Sequence, residues 1–348
     1  MNKYKLMNIG SFLICLAGTI STSAAVLHFC DKAKLDGCVD PKDYQLVEEE
    51  KVPVRDYAKD NYSDDFWKLN IYNPVEYAKA STDVTKFESN LVAKGAILVD
   101  YDSKEVIYEK NADVMMAPAS TTKLATAITA VNLLDMDEEI VVGNEVNLIA
   151  ADSSKAGFKK GEKLTFKELL EGLLLSSGND AAYIIAKAGG EKLLNDNIAY
   201  DGTEITTDQC IKRFVYEMNK NVTDIGAKNS NFTTPDGYDE AEQYTTAEDL
   251  SKIAIVALEN ENLKSIFSMT KAKVKGHDFV TTNELLLKDS SFFYKYAIGM
   301  KTGSTDAAGK CLVSAATKDG RTCISVVLNS NADGRYEDSL KLLKFFAE

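Results

Sequence analysis

The strongest constraint on this chain is the change of hydrophobic period along its length. Ala93–Tyr101 and Glu105–Lys110 read as two strands joined by a turn at Asp102-Ser103. A long helical middle follows. A helix starts after Pro118, and another near Thr165, where Thr165 and Glu168 have capping-box spacing. That second helix yields to a turn at Ser177-Gly178-Asn179, and a third is expected to stop at Gly189-Gly190. Further helices span about 208–224 and 247–258. The period then reverts to strands at Tyr296–Gly303, Lys310–Lys318 and Arg321–Asn329, and a helix from about Tyr336 to Phe346 closes the chain. Strands at both ends with helices between predict an α+β domain whose first and last strands share one sheet. No internal repeat is present.

Upstream of residue 91 the character differs. Lys3 and Lys5 precede a stretch without formal charge from Leu6 to Cys30, the pattern that sends a chain across a membrane. Cleavage after Ser23-Ala24-Ala25 is one outcome. An uncleaved anchor is the favoured one, because the apolar run continues through Val26, Leu27 and Phe29 and is long enough to span a bilayer. Phe12-Leu13-Ile14-Cys15 lacks the small residues of a lipoprotein site. The domain expectation is a signal peptide or anchor over 1–30, an extracytoplasmic linker over 31–90 and a catalytic domain over 91–348. The linker carries the acidic run Glu48-Glu49-Glu50 and no sustained helical period. It reads as a polar stalk, with patches around Trp67, Tyr72 and Tyr77 docked on the main domain.

Residue usage removes several functions. The net charge of -13 repels phosphate backbones, so nucleic acid is not an expected partner. There are only two histidines, His28 and His277, which excludes a histidine-rich metal site and leaves a Ser-His-Asp mechanism resting on His277 alone. None of the six cysteines forms a Cys-x-x-Cys pair, so zinc is poorly supported. With a hairpin turn at Asp319-Gly320, Lys318 faces Arg321, Cys323 faces Ala316 and Cys311 faces Leu328. That register opposes a Cys311–Cys323 disulfide and makes both inert packing residues.

Three short motifs carry chemistry. In Ala117-Pro-Ala-Ser120-Thr-Thr-Lys123, Pro118 suits a helix start. Ser120 then sits in the first turn, with Lys123 three residues on and on the same face. That spacing suits a serine nucleophile with a lysine base, provided burial and a second cation lower the lysine's proton affinity. Ser-x-x-Lys alone is common. In Ser177-Gly178-Asn179, a turn made possible by Gly178 aims the Ser177 hydroxyl and Asn179 amide into a cleft, although helix capping explains the same residues. In Gly299-Met-Lys301-Thr302-Gly303-Ser304, a strand presents Lys301 as a fixed cation for a carboxylate, with the Thr302 hydroxyl beside it. Gly303 there allows close backbone approach, and the Ser304 and Ser120 N–H groups form an oxyanion hole.

Order and spacing of all three resemble the Ser-x-x-Lys, Ser-x-Asn and Lys-Thr-Gly set of penicillin-binding proteins and serine β-lactamases. The flank Ser177-Gly-Asn-Asp-Ala-Ala182, with Tyr244-Thr-Thr-Ala-Glu-Asp249, Thr282-Asn-Glu-Leu-Leu286 and Lys301-Thr-Gly-Ser-Thr-Asp-Ala-Ala-Gly309, is similar to the low-molecular-mass D-alanyl-D-alanine carboxypeptidases over roughly 91–348. The resemblance implies a β-lactamase/transpeptidase-like fold, in which an antiparallel sheet flanked by helices meets a mainly helical subdomain. It implies an extracytoplasmic enzyme that trims stem peptides ending in D-Ala-D-Ala and is acylated by β-lactams. Ser120, Lys123 and Ser177 would be catalytic, and Asn179, Lys301, Thr302, Gly303 and Ser304 would bind substrate. It implies no metal or organic cofactor, and a membrane link only through the N-terminal segment.

Two departures stand out. Pro235-Asp236-Gly237 replaces the Pro-His-Gly of many members, and the chain ends just after the closing helix, without the second β-rich domain many carry. A β-lactamase would need a deacylating glutamate. Glu162, Glu168 and Glu171 lie in plausible regions, but none is in a recognisable loop. An endopeptidase would use the same residues as a carboxypeptidase. A catalytically silent penicillin-binding sensor would be expected to have lost one of the three motifs.

Overall fold

A computed structural model describes residues 72–78, 87, 90–195 and 205–347. The leader, Cys15, Cys30, Cys38, Trp67 and most of the linker lie outside the described residues. Five strands form one antiparallel sheet in the order β2-β1-β9-β8-β7, with β1 Gly95–Asp100, β2 Val106–Lys110, β7 Ala297–Thr305, β8 Gly309–Lys318 and β9 Arg321–Ser330. The first strand of the domain does pair with the last: Gly95 lies opposite Leu328 and Asp100 opposite Cys323. The central strands are apolar at nearly every position because both faces of the sheet are covered. Ile97, Val99, Val313, Ile324 and Val326 face one core, and Ala96, Leu98, Leu312 and Val327 face the other.

Among the described residues seven helices surround this sheet: α1 Lys123–Ala130, α2 Phe166–Leu174, α3 Asn179–Asn195, α4 Thr207–Asp224, α5 Ala247–Glu259, α6 Glu261–Phe267 and α7 Gly334–Ala347. On one face α7 buries Tyr336, Leu342 and Leu343. Full burial of each leucine contributes about 2 kcal/mol. α5 covers the other face and contacts α1, which leads into the helical lobe of α2, α3 and α4. Every residue of α1 is buried. Its Ala- and Thr-rich sequence, Lys-Leu-Ala-Thr-Ala-Ile-Thr-Ala, lets neighbours approach from all sides. Two small hairpins, β3 Glu139–Val141 with β4 Lys163–Thr165 and β5 Lys271–Val274 with β6 His277–Val280, flank the lobe.

The capping box at Thr165 and Glu168 forms as the spacing predicts. The β8–β9 register is also as read, with Lys318 opposite Arg321 and Cys323 opposite Ala316. It shifts by one residue between Lys310 and Leu312. Cys311 and Cys323 are buried free thiols, and burial holds both well above the ordinary thiol range. Residues 72–78 dock on the domain: Val75 N–H donates to Ile225 O at 2.9 Å, and the Tyr77 hydroxyl bonds Ser251.

One boundary is corrected. α3 runs through Gly189-Gly190 instead of stopping there. These glycines serve helix packing: a Cβ on Gly190 would lie 1.8 Å from the Cys210 carbonyl oxygen of α4, and one on Gly189 would meet Phe214 at 2.8 Å. Close approach, not helix termination, explains the pair.

Candidate active site

The motif residues converge where the helical lobe meets edge strand β7. After Pro118 the chain makes a 3-10 turn, Ala119–Thr122, before α1 begins at Lys123. Ser120 therefore precedes the α-helix proper, which starts about one turn later than the sequence suggests. The turn is tight, with the Thr121 hydroxyl donating to Pro118 O at 2.6 Å and Ala119 held at φ +47°. A non-glycine residue in the left-handed region is strained, and such strain persists only where neighbours impose it. Here the neighbours are two glycine backbones. A Cβ on Gly237 would come within 2.0 Å of Ala119 O, and one on Gly303 within 3.1 Å of Ala119 Cβ. The space at Gly303, expected from sequence to admit a substrate backbone, is faced here by the serine turn.

Lys123 is fully buried. Its Nζ lies 2.9 Å from Ser120 Oγ, 2.7 Å from Asn179 Oδ1 and 2.7 Å from Asp236 O. Three acceptors match the three N–H bonds of an ammonium; equally, a neutral amine donates to Asn179 and Asp236 and turns its lone pair to the Ser120 hydroxyl. Burial pushes Lys123 down to about 8, opposed by the negative charges of Asp236 and Asp180.

The Ser-Gly-Asn turn is built differently from the expectation. The left-handed residue is Ser177, at φ +58°, and not Gly178. Gly178 is needed because a Cβ there would sit 2.7 Å from Asp180 Oδ1 and 2.8 Å from Ala156. Residues 154–158 wrap this turn. Ser154 Oγ donates to Ser177 O at 2.6 Å, and Asn179 N–H donates to Ser154 O at 2.9 Å. The Asp180 carboxylate accepts from the N–H groups of Ala156, Gly157 and Phe158 at 2.7, 2.7 and 3.1 Å. Asp180 is a positioning residue that motif reading missed; its one sequence signal is an acid in the first turn of α3.

On β7, Lys301 is fully buried and donates to Ser177 Oγ and Thr302 O, both at 2.8 Å. The Thr302 hydroxyl lies 2.6 Å from that of Thr282. Lys310 Nζ donates to Ser304 Oγ, and Arg335 NH1 donates to Gly303 O at 3.3 Å. Thr282 opens the stretch Thr282-Asn-Glu-Leu-Leu286 but was not singled out as a site residue, and Arg335 carries no motif signature. Burial, then the Lys123 and Arg335 charges, push Lys301 well below the usual lysine range. Among the described residues no carboxylate forms an ion pair with Lys301, which leaves this pocket short of one anion.

His277 is not at this centre. It bonds Glu162 at 3.1 Å and packs edge-on against Phe158. Glu168 is held by the Thr165 cap and the Lys275 ammonium, and burial raises the carboxyl of Glu171 on α2 above its ordinary range. None of the three glutamates is hydrogen-bonded to Ser120 or Lys123.

The chain matches the D-alanyl-D-alanine carboxypeptidase family over residues 81–194 and 208–332. It is 31% identical over 278 residues to the D-alanyl-D-alanine carboxypeptidase of Streptomyces sp. strain K15, covering 77% of this chain and 91% of that one. It is 30% identical over 287 residues to D-alanyl-D-alanine carboxypeptidase DacF of Bacillus subtilis, covering 80% and 67%. The crystal structure of the Streptomyces K15 DD-transpeptidase superposes with a TM-score of 0.66 at 31% identity, over 75% of this chain and 99% of that one. Motif geometry, topology and these likenesses agree: the chain belongs to the D-alanyl-D-alanine carboxypeptidase family of serine peptidases.

Proposed function

We propose that Ser120 is the nucleophile of this serine D-Ala-D-Ala carboxypeptidase and Lys123 its general base. The supporting observation is the 2.9 Å contact between Lys123 Nζ and Ser120 Oγ inside a pocket that depresses the lysine's proton affinity. Ser120 Oγ attacks the carbonyl carbon between the two D-alanines while its proton passes to Lys123. The N–H groups of Ser120 and Ser304 receive the developing oxyanion. As the C–N bond breaks, the Ser177 hydroxyl, 2.8 Å from Lys301 Nζ, relays a proton to the departing amine. D-alanine leaves, an ester remains on Ser120, and water hydrolyses it to regenerate the hydroxyl.

Lys301 and Thr302 hold the terminal carboxylate in this reading, with Asn179 and Gly303 bordering the peptide. Bringing that carboxylate to Lys301 supplies the missing anion and favours the lysine's charged form. Penicillins carry an equivalent carboxylate beside their reactive amide, so acylation of Ser120 follows from the same contacts. The N-terminal segment is proposed to tether a catalytic domain starting near residue 91, through the linker 31–90, to the outer face of the membrane.

The test is D-alanine release from a stem pentapeptide ending in D-Ala-D-Ala, with Ser120→Ala as control. Release that depends on Ser120 supports the assignment. A folded protein that binds penicillin covalently but releases no D-alanine refutes the carboxypeptidase step. Equal penicillin labelling of the Ser120→Ala protein refutes the nucleophile.

A further inference from the structure

Asp236 follows α4 in a loop that packs on the serine turn; it stands at the centre of Pro235-Asp236-Gly237, outside the three catalytic motifs. Its backbone and its side chain do different things. The carbonyl oxygen accepts from Lys123 Nζ at 2.7 Å. The side chain is 1% exposed; Oδ1 accepts the Tyr238 N–H at 3.1 Å, while Oδ2 is buried with no hydrogen-bond partner. A buried carboxylate oxygen left unpaired costs more than an apolar side chain of the same size would. Folding alone gives no reason for an acid here.

The loop cannot swing this charge away. Thr126 Oγ1, one turn beyond Lys123 on α1, donates to Pro235 O at 2.5 Å, and Gly237 N–H donates to Thr234 Oγ1 at 3.1 Å. Gly237, at φ +81°, is pressed on Ala119 O so closely that no side chain fits. The loop is thus pinned on both sides of Asp236. Its carboxylate forms no direct ion pair with Lys123, and it acts on the ammonium through the low-dielectric interior.

The groups facing Lys123 come from four elements. The serine turn supplies neutral Ser120. α3 supplies neutral Asn179 and the charge of Asp180, which is already engaged by three backbone N–H groups. β7 supplies the Lys301 cation, and the loop after α4 supplies Asp236. Asp236 is the largest charge effect opposing the burial of Lys123, ahead of Asp180. It also helps burial hold the neighbouring Tyr183 phenol in its neutral form. One anion with a free oxygen therefore opposes the effect of burial on Lys123.

We propose that the Asp236 carboxylate is a positioning residue for the general base, a pinned buried anion that holds a proton on Lys123 and so sets the pH at which Ser120 becomes reactive. This rests on the assignment of Ser120 and Lys123 above. The carboxylate has two opposed effects. It reduces the share of protein with a neutral lysine at rest, and it strengthens that lysine as an acceptor once Ser120 begins to give up its proton.

The experiment is the rate of Ser120 acylation by a fluorescent penicillin from pH 5.5 to 9.5, for the full chain and for Asp236→Asn and Asp236→Ser. Both variants keep an acceptor for Tyr238 N–H and remove the charge; thermal melting verifies that each is folded. The penicillin carboxylate ionises far below this range, so the acid limb belongs to the protein. The limb is expected to move down by about one pH unit in either folded variant. Acylation at pH 6.5 then rises several-fold relative to each protein's own plateau, and the plateau rate itself falls. An acid limb that stays in place while only the plateau changes overturns the proposal and leaves Asp236 a purely structural loop residue. Labelling that persists in Ser120→Ala would instead overturn the nucleophile assignment, so the two failures are distinguishable.

Discussion

Removing the Asp180 carboxylate tests how the Ser177 turn is held. Three backbone N–H groups of the 156–158 segment converge on it at 2.7–3.1 Å. A hydrogen bond to a charged acceptor contributes about 1.5–3 kcal/mol. Gly157 is exposed and Ala156 half-buried, so water replaces much of the loss at those two amides; Phe158 is buried and its amide is left without a partner. Asp180→Ala should therefore cost about 3 kcal/mol. For a domain of this size that is a drop of roughly 6 °C in melting temperature. The functional loss should be proportionally larger, because the segment also carries Ser154, whose hydroxyl grips Ser177 O. A shift of about 1 Å in a catalytic group slows a reaction on the order of a hundredfold. The assays are urea denaturation and the penicillin acylation rate, with Asp180→Asn falling between variant and parent because it keeps one acceptor oxygen. A variant as stable as the parent, acylated at the parent's rate, would refute the claim that this carboxylate organises the turn.

Three further outcomes follow from particular contacts. Gly190→Ala gains about 1 kcal/mol of helix propensity but drives a methyl to 1.8 Å from Cys210 O, so net destabilisation of about 3 kcal/mol is expected by urea denaturation; a higher melting temperature would contradict the packing. Lys301→Ala should weaken peptides with a free terminal carboxylate far more than their C-terminal amides in steady-state kinetics, and equal losses would remove Lys301 from carboxylate recognition. Burial raises Asp249 to about 6, against its bonds to Ser230 and Asn229. The folded state thus holds this proton more tightly than the unfolded chain, and wild-type stability falls as pH rises from about 4 to 6. Asp249→Asn should lose that slope, so its urea midpoint gains on the parent's between pH 4.5 and 7; a constant difference would show that Asp249 ionises as it does unfolded.

The large elements were legible in the residues because the sheet is covered on both faces. Such strands read as unbroken apolar runs, and the turn at Asp319-Gly320 set the β8–β9 register that keeps Cys311 and Cys323 apart. The motif serines and lysines were legible too, since their spacing is itself the chemistry. What stayed hidden depends on contacts between distant segments. Gly189-Gly190 looks like a stop signal until α4 is seen lying against it. Gly178 looks like the residue that bends the chain, yet the bend is taken by Ser177 while Gly178 makes room for Ala156 and Asp180. Asp180, Asp236, Thr282 and Arg335 act through segments far away in sequence, and no local pattern announces that.

The position of β9 has a consequence in time. It is the central strand of the sheet, yet it follows every other strand of that sheet in sequence, and its Arg321 meets Asp100 across 221 positions. Until it inserts between β1 and β8, the growing polypeptide has two half-sheets with bare edges, and no sheet joins β7 to β1. Such long-range closure is slow and leaves unpaired strands exposed to other chains meanwhile. The sheet that carries Lys301 is therefore joined to β1 only once β9, which follows every motif residue in the sequence, has been made and inserted.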